Sequence, residues 1–299
     1  MSNMTIDTNS TASQVAIHDQ LRAAFPFTVD KYRLSGPDNM RTDWYGLFRS
    51  DNMRAIGPGS VSSRYSPHQT DDVIEVVGAA ASAFDGRMQL SCAFDDGHYV
   101  VMNPTDEERR AIFGTKDNIY PRLIVHAGYG GKAFHASLGI YRDTCRNLAR
   151  FKTISACSTS IRHTQSMGWK IDDLVASFRR LRESWFTVTE IAAKMQAATC
   201  DLNEFLASVY DDQQKTSHTI KRDGAILQRL MSERRATDRP FLGSSRIVSV
   251  WEAFNAVQGH QQHGVTRKGI GHDPLARALI ALEDATVSRA EVAALALIA

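Results

Sequence analysis

Histidines occur at two places where side chains of this sequence could bind a metal or move a proton. His260 and His263 are three residues apart, and His272 follows nine residues later. Neutral imidazoles at this spacing can share a zinc or manganese ion, and Glu252 or Asp273 could add the carboxylate of a catalytic site. A helix end rich in histidine and glutamine, where positive charge suits the helix dipole, explains the same residues without a metal. We favour this second interpretation, and we predict no cofactor.

His163 is the other candidate, and it lies in the segment Arg162-His163-Thr164. An imidazole could act there as a general base, because histidine titrates near neutral pH. A hydrogen-bonded structural role is the interpretation that we favour. The sequence contains no C-x-x-C pair, no G-x-S-x-G elbow and no Walker-type loop that leads into a helix. It therefore favours a non-enzymatic function and leaves a metal-dependent enzyme as an alternative.

Positive charge is distributed unevenly along the chain. Residues 1–120 contain 11 lysines and arginines against 16 acidic residues, whereas residues 121–299 contain 24 against 17. Between Arg142 and Arg182 there are nine cations and three acids. Spaced cations on one surface suit a phosphate backbone. The candidate phosphate contacts are Arg142, Arg146, Arg150, Arg162, Lys170, Arg179 and Arg180.

Helical spacing would bring some of these cations together. Arg142, Arg146 and Arg150 share one face if their segment is a helix. In the opposite interpretation, Arg179 forms an ion pair with Glu183 and the neighbouring aromatic side chains belong to the core. The aromatic residues that could instead stack on the bases of a single strand are Tyr141, Phe151 and Trp169.

The pattern of apolar residues changes from strands to helices near Asp143. Before it, alternating segments separated by turn residues predict a meander-like antiparallel or mixed sheet. The predicted strands are 44–49, 59–65, 88–94, 98–102, 121–127 and 133–141, and the predicted helices are 15–25, 70–84 and 105–113, with Thr70 as the cap of the second. After it, helical spacing predicts one long helix at 171–195 and others at 201–210, 247–257, from Asp273 and at 287–299, with a loose basic stretch at 211–239. Ser288 and Glu291 form a capping box for the last helix.

Four segments together resemble one family. They are Gly59–Tyr65 (GSVSSRY) with the helix that follows, Arg142–Asn147 (R-x-x-C-x-N), Ile161–Thr164 with its R-H-T sequence, and Trp251–His263 (WEAFNAVQGHQQH). In this order they resemble the phage/plasmid-like proteins of the domain of unknown function 932. The loop at Ala127–Gly131 departs from the family's serine- and aspartate-containing turn. The resemblance implies a mobile-element origin and a mixed α+β fold, and it implies no particular activity.

The sequence thus predicts an α+β protein with a disordered leader at 1–13, a sheet-containing part at 14–142 and a mostly helical part at 143–299. The helical part is expected to pack on the sheet-containing part, and the two could form a single domain. We expect a cytoplasmic protein without a membrane segment, because no stretch approaches the ~18 apolar residues of a membrane span. The leading functional hypothesis is a DNA-binding accessory factor in replication, recombination or strand annealing, on single- or double-stranded DNA. Two alternatives stay open: a protein-binding anti-defence or host-takeover factor, which could be a homo-oligomer, and a metal-dependent nucleic-acid enzyme.

Overall fold

A computed structural model describes residues 5–7, 11–57, 59–83, 87–94, 97–103, 110–111, 118–130, 134–142, 147–151, 158–161, 171–211, 216–236, 246–265, 278, 281–282 and 284–299. Contacts divide the chain into two units, and each unit contains residues from both sides of position 143. Unit 1 comprises Met1–Thr105, Leu123–Ser137 and Ser158–Arg182, and unit 2 comprises Asp106–Arg122, Leu138–Cys157 and Glu183–Ala299.

Antiparallel pairing dominates the β-structure. The strands are β1 Thr5–Asp7, β2 Val29–Ser35, β3 Arg41–Arg49, β4 Val61–Ser62, β5 Arg87–Phe94, β6 Gly97–Asn103, β7 Arg110–Ala111, β8 Asn118–Gly128, β9 Phe134–Arg142, β10 Asn147–Arg150, β11 Ser158–Ile161, β12 Thr199–Asp201 and β13 Ile247–Ser249. The largest sheet has the order β1-β5-β6-β8-β9-β10, with β7 on β8 and β11 on β9. Smaller sheets are formed by β2-β3-β4 and by β12-β13. The predicted α+β class and antiparallel sheet are confirmed.

The helices contribute apolar faces to the cores of the two units. They are α1 Thr11–Ala24, α2 Thr70–Ala83, α3 Ile171–Glu183, α4 Trp185–Ala197, α5 Leu202–Tyr210, α6 Ser217–Ala236, α7 Val250–Gly259 and α8 Ala285–Ala296. In unit 1, α1 packs on α2 and on β5. In unit 2, α7 lies at the centre, where it contacts α4, α6 and α8 and is buried along its whole length. Its capping box is formed by Ser249 and Glu252. In the part of the chain described here, no helix is both long enough and apolar enough to cross a membrane.

Several elements differ from the sequence prediction in the first half. Thr5–Asp7 of the expected disordered leader form β1, which pairs with β5. Strand β2 was not predicted, because its sequence VDKYRLS mixes charged and apolar residues without a clear turn before it. Arg110–Ala111 form a strand inside the helix predicted at 105–113, and the residues around them lie outside the described chain. Thr70 begins α2, but its hydroxyl donates to the Phe25 carbonyl oxygen instead of capping the helix.

Further differences lie in the helical half. The helix predicted at 171–195 is divided into α3 and α4 at Ser184, although Phe178, Trp185 and Met195 are buried as its spacing predicts. The loose basic stretch at 211–239 contains the 20-residue helix α6. That helix was not predicted because few of its residues are apolar. Ile226 and Leu230 nevertheless give it a buried face.

The last helix begins earlier than its predicted capping box. The Asp284 carboxylate accepts from the Thr286 amide at 2.8 Å, so Asp284 is the cap of α8. Ser288 is therefore inside the helix, and Glu291 is buried instead of closing a box. Asp273, the predicted start of another helix, lies outside the described residues.

Candidate nucleic-acid interface

Arg142 was predicted to contact phosphate, but its side chain is only 2% exposed. Its Nη1 donates to Glu233 Oε2 at 2.6 Å, which joins β9 to α6 within unit 2. Glu233 also accepts from Arg229 Nε at 3.1 Å. A buried guanidinium held by a carboxylate does not face solvent, so this residue is corrected from a phosphate contact to part of the core.

The helical face proposed for Arg142, Arg146 and Arg150 does not exist. Residues Asn147–Arg150 form strand β10, which pairs antiparallel with β9. Side chains alternate between the two faces of a strand, so spacing by four does not place them as it would on a helix. Arg146, Arg162 and Lys170 lie outside the described residues, as does the side chain of Arg150.

Arg179 and Arg180 are the two predicted contacts that the structure places at the surface. Both side chains are exposed on α3, in unit 1. Arg180 Nη2 donates to Ser177 Oγ at 3.1 Å. Within the described parts of the chain Arg179 has no ion-pair partner, so the predicted alternative pairing with Glu183 is not observed. These two guanidinium groups remain candidates for an anion.

Two of the four histidine candidates lie within the described residues. His163 and His272 lie outside the described residues, and so does Asp273. His260 is half-buried and His263 is exposed, in a π-helical turn that follows α7. Burial, helped by Arg222 and Arg229, lowers the pKa of His260.

Glu252, the described carboxylate that could have completed such a metal site, accepts from Arg234 Nη2 at 2.8 Å and belongs to a buried ion pair. Over the described ranges, no three histidine, cysteine or acidic side chains are grouped as a metal site would require.

An exposed aromatic surface was missed by the sequence analysis. In the β2-β3-β4 sheet, Tyr32 is directly opposite Gly46 and Trp44 is opposite Ser62. Residues opposite one another in an antiparallel pair point to the same face, and alternate residues share that face. Tyr32, Trp44 and Phe48 therefore lie on one face, with 45% of Tyr32 and 56% of Trp44 exposed to solvent. We call Tyr32, Leu34, Trp44 and Phe48, grouped around Gly46, the aromatic platform.

Gly46 leaves room for the Phe48 ring to lie across the strand. A Cβ atom at position 46 would be 2.7 Å from Phe48 Cε2 and 3.2 Å from Leu34 Cδ2. The Phe48 ring thus covers the glycine, and its edge-to-face contact with Tyr32 has a centroid distance of 5.7 Å. Any larger residue at position 46 would displace the ring. The sheet therefore presents a continuous apolar surface where a side chain would otherwise project.

The opposite face of the same sheet explains why the platform is outward. Val29, Leu47 and Val61 alternate with the platform residues and are buried. On that face Lys31 Nζ donates to the carbonyl oxygens of Ser63, at 2.7 Å, and Tyr65, at 2.9 Å. One side of the sheet packs on the core of unit 1, and the other remains at the surface.

Cations lie at the margin of the sheet. Arg33 Nη2 donates to Tyr45 Oη at 3.1 Å, and its guanidinium is exposed. Arg41 and Arg64 are also exposed, and no carboxylate within the described residues forms an ion pair with either. Arg33 is paired with Tyr45 and so points to the face opposite the platform, whereas Asp30, opposite Phe48, lies on the platform face. Arg41 and Arg64 are therefore the cations of this sheet region that are available to an anionic partner.

Soon after the Gly59–Tyr65 segment, His68 belongs to a buried polar cluster of unit 1. Tyr129 Oη donates to the His68 carbonyl oxygen at 3.0 Å, and its ring stacks on the His68 ring at 4.0 Å. His68 Nε2 is 3.2 Å from His98 Nδ1. Burial, followed by the charges of His126 and Arg49, lowers the pKa of His98 to about 3, so its imidazole is neutral. This buried cluster contributes to the packing of unit 1.

Several residues of the Trp251–His263 segment also occupy the interior. Trp251 and Phe254 of α7 are fully buried, and Asn255 donates to the Trp251 carbonyl oxygen at 2.8 Å. Gln262 accepts from the Leu148 amide and donates to the Leu148 carbonyl oxygen, so its side chain pairs with the edge strand β10. In the Trp251–His263 segment, these buried residues therefore contribute to packing.

Comparison with known proteins agrees with these motifs. A family model described as Domain of unknown function (DUF932) matches residues 58–291. The chain belongs to the DUF932 family. No curated protein and no solved structure matches it. Strands β2 and β3, which carry the aromatic platform, precede the residues that match DUF932, so the family match accounts for the motifs and not for this surface.

Proposed function

We propose that this DUF932 protein binds a single strand of DNA whose bases stack on the aromatic platform. The observation that supports this most directly is the exposure of the Tyr32 and Trp44 rings on one sheet face, with Phe48 beside them. Exposed apolar patches mark interaction sites, because water-exposed aromatic surface is unfavourable. Stacking of one base on an aromatic ring contributes ~1–3 kcal/mol and tolerates any base sequence.

The surrounding charge favours a nucleic acid over an uncharged partner. Arg41 and Arg64 border the sheet, and Arg179 and Arg180 are exposed in the same unit. Guanidinium groups bind phosphate through paired hydrogen bonds. A duplex stacks its bases internally, so only a single strand can place base faces against flat aromatic rings. Single-stranded DNA therefore fits the surface better than double-stranded DNA.

The role we infer is that of a non-enzymatic accessory factor in replication, recombination or strand annealing of a mobile element. The mobile-element setting comes from the resemblance of the motifs to phage/plasmid-like proteins. The single-strand preference comes from the platform. It suits replication, recombination and strand annealing, because all three expose unpaired DNA. Such a role requires binding and release of DNA and no bond-breaking chemistry.

Fluorescence anisotropy with labelled single-stranded and double-stranded DNA of the same sequence tests this function. We expect the chain to bind the single strand more tightly than the duplex at low salt. Trp44→Ala and Tyr32→Ala should each weaken single-strand binding by about 5- to 100-fold, which corresponds to the loss of one stacked base. Both side chains are at the surface, so the variants should keep the stability of the wild type.

Phe186→Ala is the matched control, because Phe186 is an aromatic residue that is 66% exposed in unit 2 and far from this sheet in sequence. It should bind DNA as the wild type does. No binding of the wild type at low salt would reject the proposal. If the platform variants bound DNA normally, the platform would instead be a contact surface for a protein.

A further inference from the structure

A second surface feature lies wholly in unit 2, between α5, α8 and the β12-β13 sheet. It is a cavity of about 640 Å³ that opens to solvent. Pockets that bind small ligands or peptide side chains are commonly of this size. The apolar side chains that line it are Phe205, Ile247, Ala293, Ala296 and Leu297. Phe205 is buried at its base, whereas Ile247 and Leu297 are large apolar residues exposed at its rim.

The same cavity has carboxylates on its α5 side. Asp201 and Glu204 line it, together with the hydroxyl groups of Thr199 and Ser208. The Asp201 carboxylate accepts from the backbone amides of Asn203 and Glu204 as the cap of α5, and Glu204 is exposed. In the described part of the chain neither carboxylate forms an ion pair with a lysine, arginine or histidine. The Asp201 charge is stabilised by the N-terminus of α5, whereas the exposed Glu204 carboxylate has no such partner among the described residues, so the cavity favours a ligand that places a cation beside Glu204.

The pKa of the Cys200 thiol depends on its burial in this cavity and on the carboxylates near it. The thiol lines the cavity, and burial together with the charges of Asp201, Glu252 and Glu204 raises the pKa of Cys200 to about 11. The neighbouring carboxylates thus oppose a further negative charge. A thiol that stays protonated at neutral pH is a poor nucleophile, so Cys200 is suited to lining a binding site and not to attacking a ligand.

We propose that this cavity binds a short segment of a partner protein that carries an aliphatic side chain next to a lysine or arginine. The aliphatic group fits the surface of Phe205, Ala293 and Ala296, and the cation lies near Asp201 and Glu204. Amphipathic segments are recognised in this way, through apolar anchors placed in a groove and charges placed at its rim. The site is separate from the aromatic platform, and its existence does not depend on DNA binding.

The test uses the full-length chain and a short fluorescent amphipathic peptide made of leucine and lysine. Its counterpart made of leucine and glutamate is the probe control. We expect the lysine peptide to bind at low salt and the glutamate peptide not to bind. We also expect the bound lysine peptide to slow iodoacetamide labelling of Cys200, carried out at about pH 9 because the thiolate is the reactive form, by at least about threefold as mapped by mass spectrometry. Labelling of Cys92, a half-buried thiol in unit 1, should not change.

Two pairs of variants locate the binding. Ala296→Trp fills the cavity and should abolish peptide binding, whereas Val292→Trp adds the same bulk to an exposed position of α8 outside the lining and should not. Glu204→Gln should weaken binding about two- to fivefold, as the loss of a partly exposed ion pair does, and Glu190→Gln on α4 should have no effect.

Several outcomes would overturn the proposal. Equal binding of both peptides, an unchanged rate of Cys200 labelling, or normal binding to the Ala296→Trp variant would each show that the cavity is not the site. Cys200 protection that rises with protein concentration in the absence of peptide would show that a second copy of this chain occupies it instead. Because the labelling measurement uses the wild-type chain, its result does not depend on whether a variant folds.

Discussion

At the scale of single residues, the arginines of this chain divide into buried and exposed groups. Arg142 and Arg234 are each 2% exposed and pair with Glu233 and Glu252. Arg179 is at the surface and has no carboxylate partner among the described residues. Counting charges along the sequence treats these groups alike, yet only exposed cations can contact an external phosphate. The structure therefore moves the candidate DNA contacts towards unit 1.

The buried ion pair leads to a prediction about stability. Glu233→Ala should lower the free energy of unfolding by ~3 kcal/mol, because the buried Arg142 guanidinium loses the carboxylate that accepts from its Nη1. Urea denaturation monitored by circular dichroism measures this change. Glu190→Ala, at an exposed position of α4, is the control and should change stability by less than about 0.5 kcal/mol. Equal effects of the two variants would show that Arg142 is not held by Glu233.

His98 leads to a prediction about pH. The pKa of His98 is about 3 in the folded chain, against a usual value of 6.5, so the unfolded chain binds the proton more readily. Stability should therefore be lost as the pH falls below about 6.5, by at most ~1.4 kcal/mol per pH unit from this group, and the loss should continue towards pH 3. Urea midpoints measured between pH 7 and pH 4 should fall less steeply for His98→Leu than for the wild type. The same substitution at the exposed His218 should leave the slope unchanged.

At the scale of elements, backbone contacts at helix ends decide where each helix starts. Asp201 caps α5 as its sequence indicates, and its carboxylate accepts from Asn203 at 2.7 Å. For α8, the sequence pattern of Ser288 and Glu291 placed the cap four residues too late. Asp284 is the cap because its carboxylate accepts from the Thr286 amide, while Glu291 is buried. Two plausible caps close together cannot be distinguished by sequence pattern alone.

The cap of α8 can be tested directly. Asp284→Ala should destabilise the chain by ~1 kcal/mol, the usual contribution of a helix cap, and should lower its Tm. Ser288→Ala should have little effect, since that hydroxyl is within the helix. Differential scanning calorimetry of both variants gives the comparison. A larger loss for Ser288→Ala than for Asp284→Ala would restore the capping box that the sequence indicated.

The sequence predicts two of the three strands in the β2-β3-β4 sheet. The predicted strand 44–49 lies inside β3, which begins three residues earlier, and the short strand β4 lies inside the predicted strand 59–65. Their partner β2 was absent from the prediction, and without it the register that places Tyr32 opposite Gly46 is unknown. A shift of one residue would turn Tyr32 to the other face. The aromatic platform therefore could not be derived from the sequence, although each of its residues was visible there.

At the scale of the whole molecule, electrostatics should control how DNA binding responds to salt. Each phosphate contact by a cation releases counterions, so the affinity for a single strand falls with salt with a slope of about 0.7 per contact. Replacement of both Arg179 and Arg180 by glutamine should reduce that slope by about 1.4 units, if each guanidinium contacts phosphate. Trp44→Ala should lower affinity at every salt concentration and leave the slope unchanged. Anisotropy titrations over a series of salt concentrations separate the two effects.

The opposite result for that pair of measurements would be informative. An unchanged slope for the double arginine variant would place the phosphate contacts elsewhere, with Arg41 and Arg64 as the next cations to replace. A slope that changed with Trp44→Ala would indicate that the ring positions the strand for ionic contacts.

The sequence alone determined the α+β class, the DUF932 family and most of the strands and helices, because these depend on local periodicity and short motifs. Phe178, Trp185 and Trp251 were correctly expected in apolar faces, since helical spacing fixes which side chains share a face. Only the tertiary structure decided that Arg142 is buried against Glu233, residues 91 positions apart, and that the β2-β3-β4 sheet exposes Tyr32 and Trp44. Exposure depends on which distant segments cover a side chain, and local spacing along the chain carries no information about that.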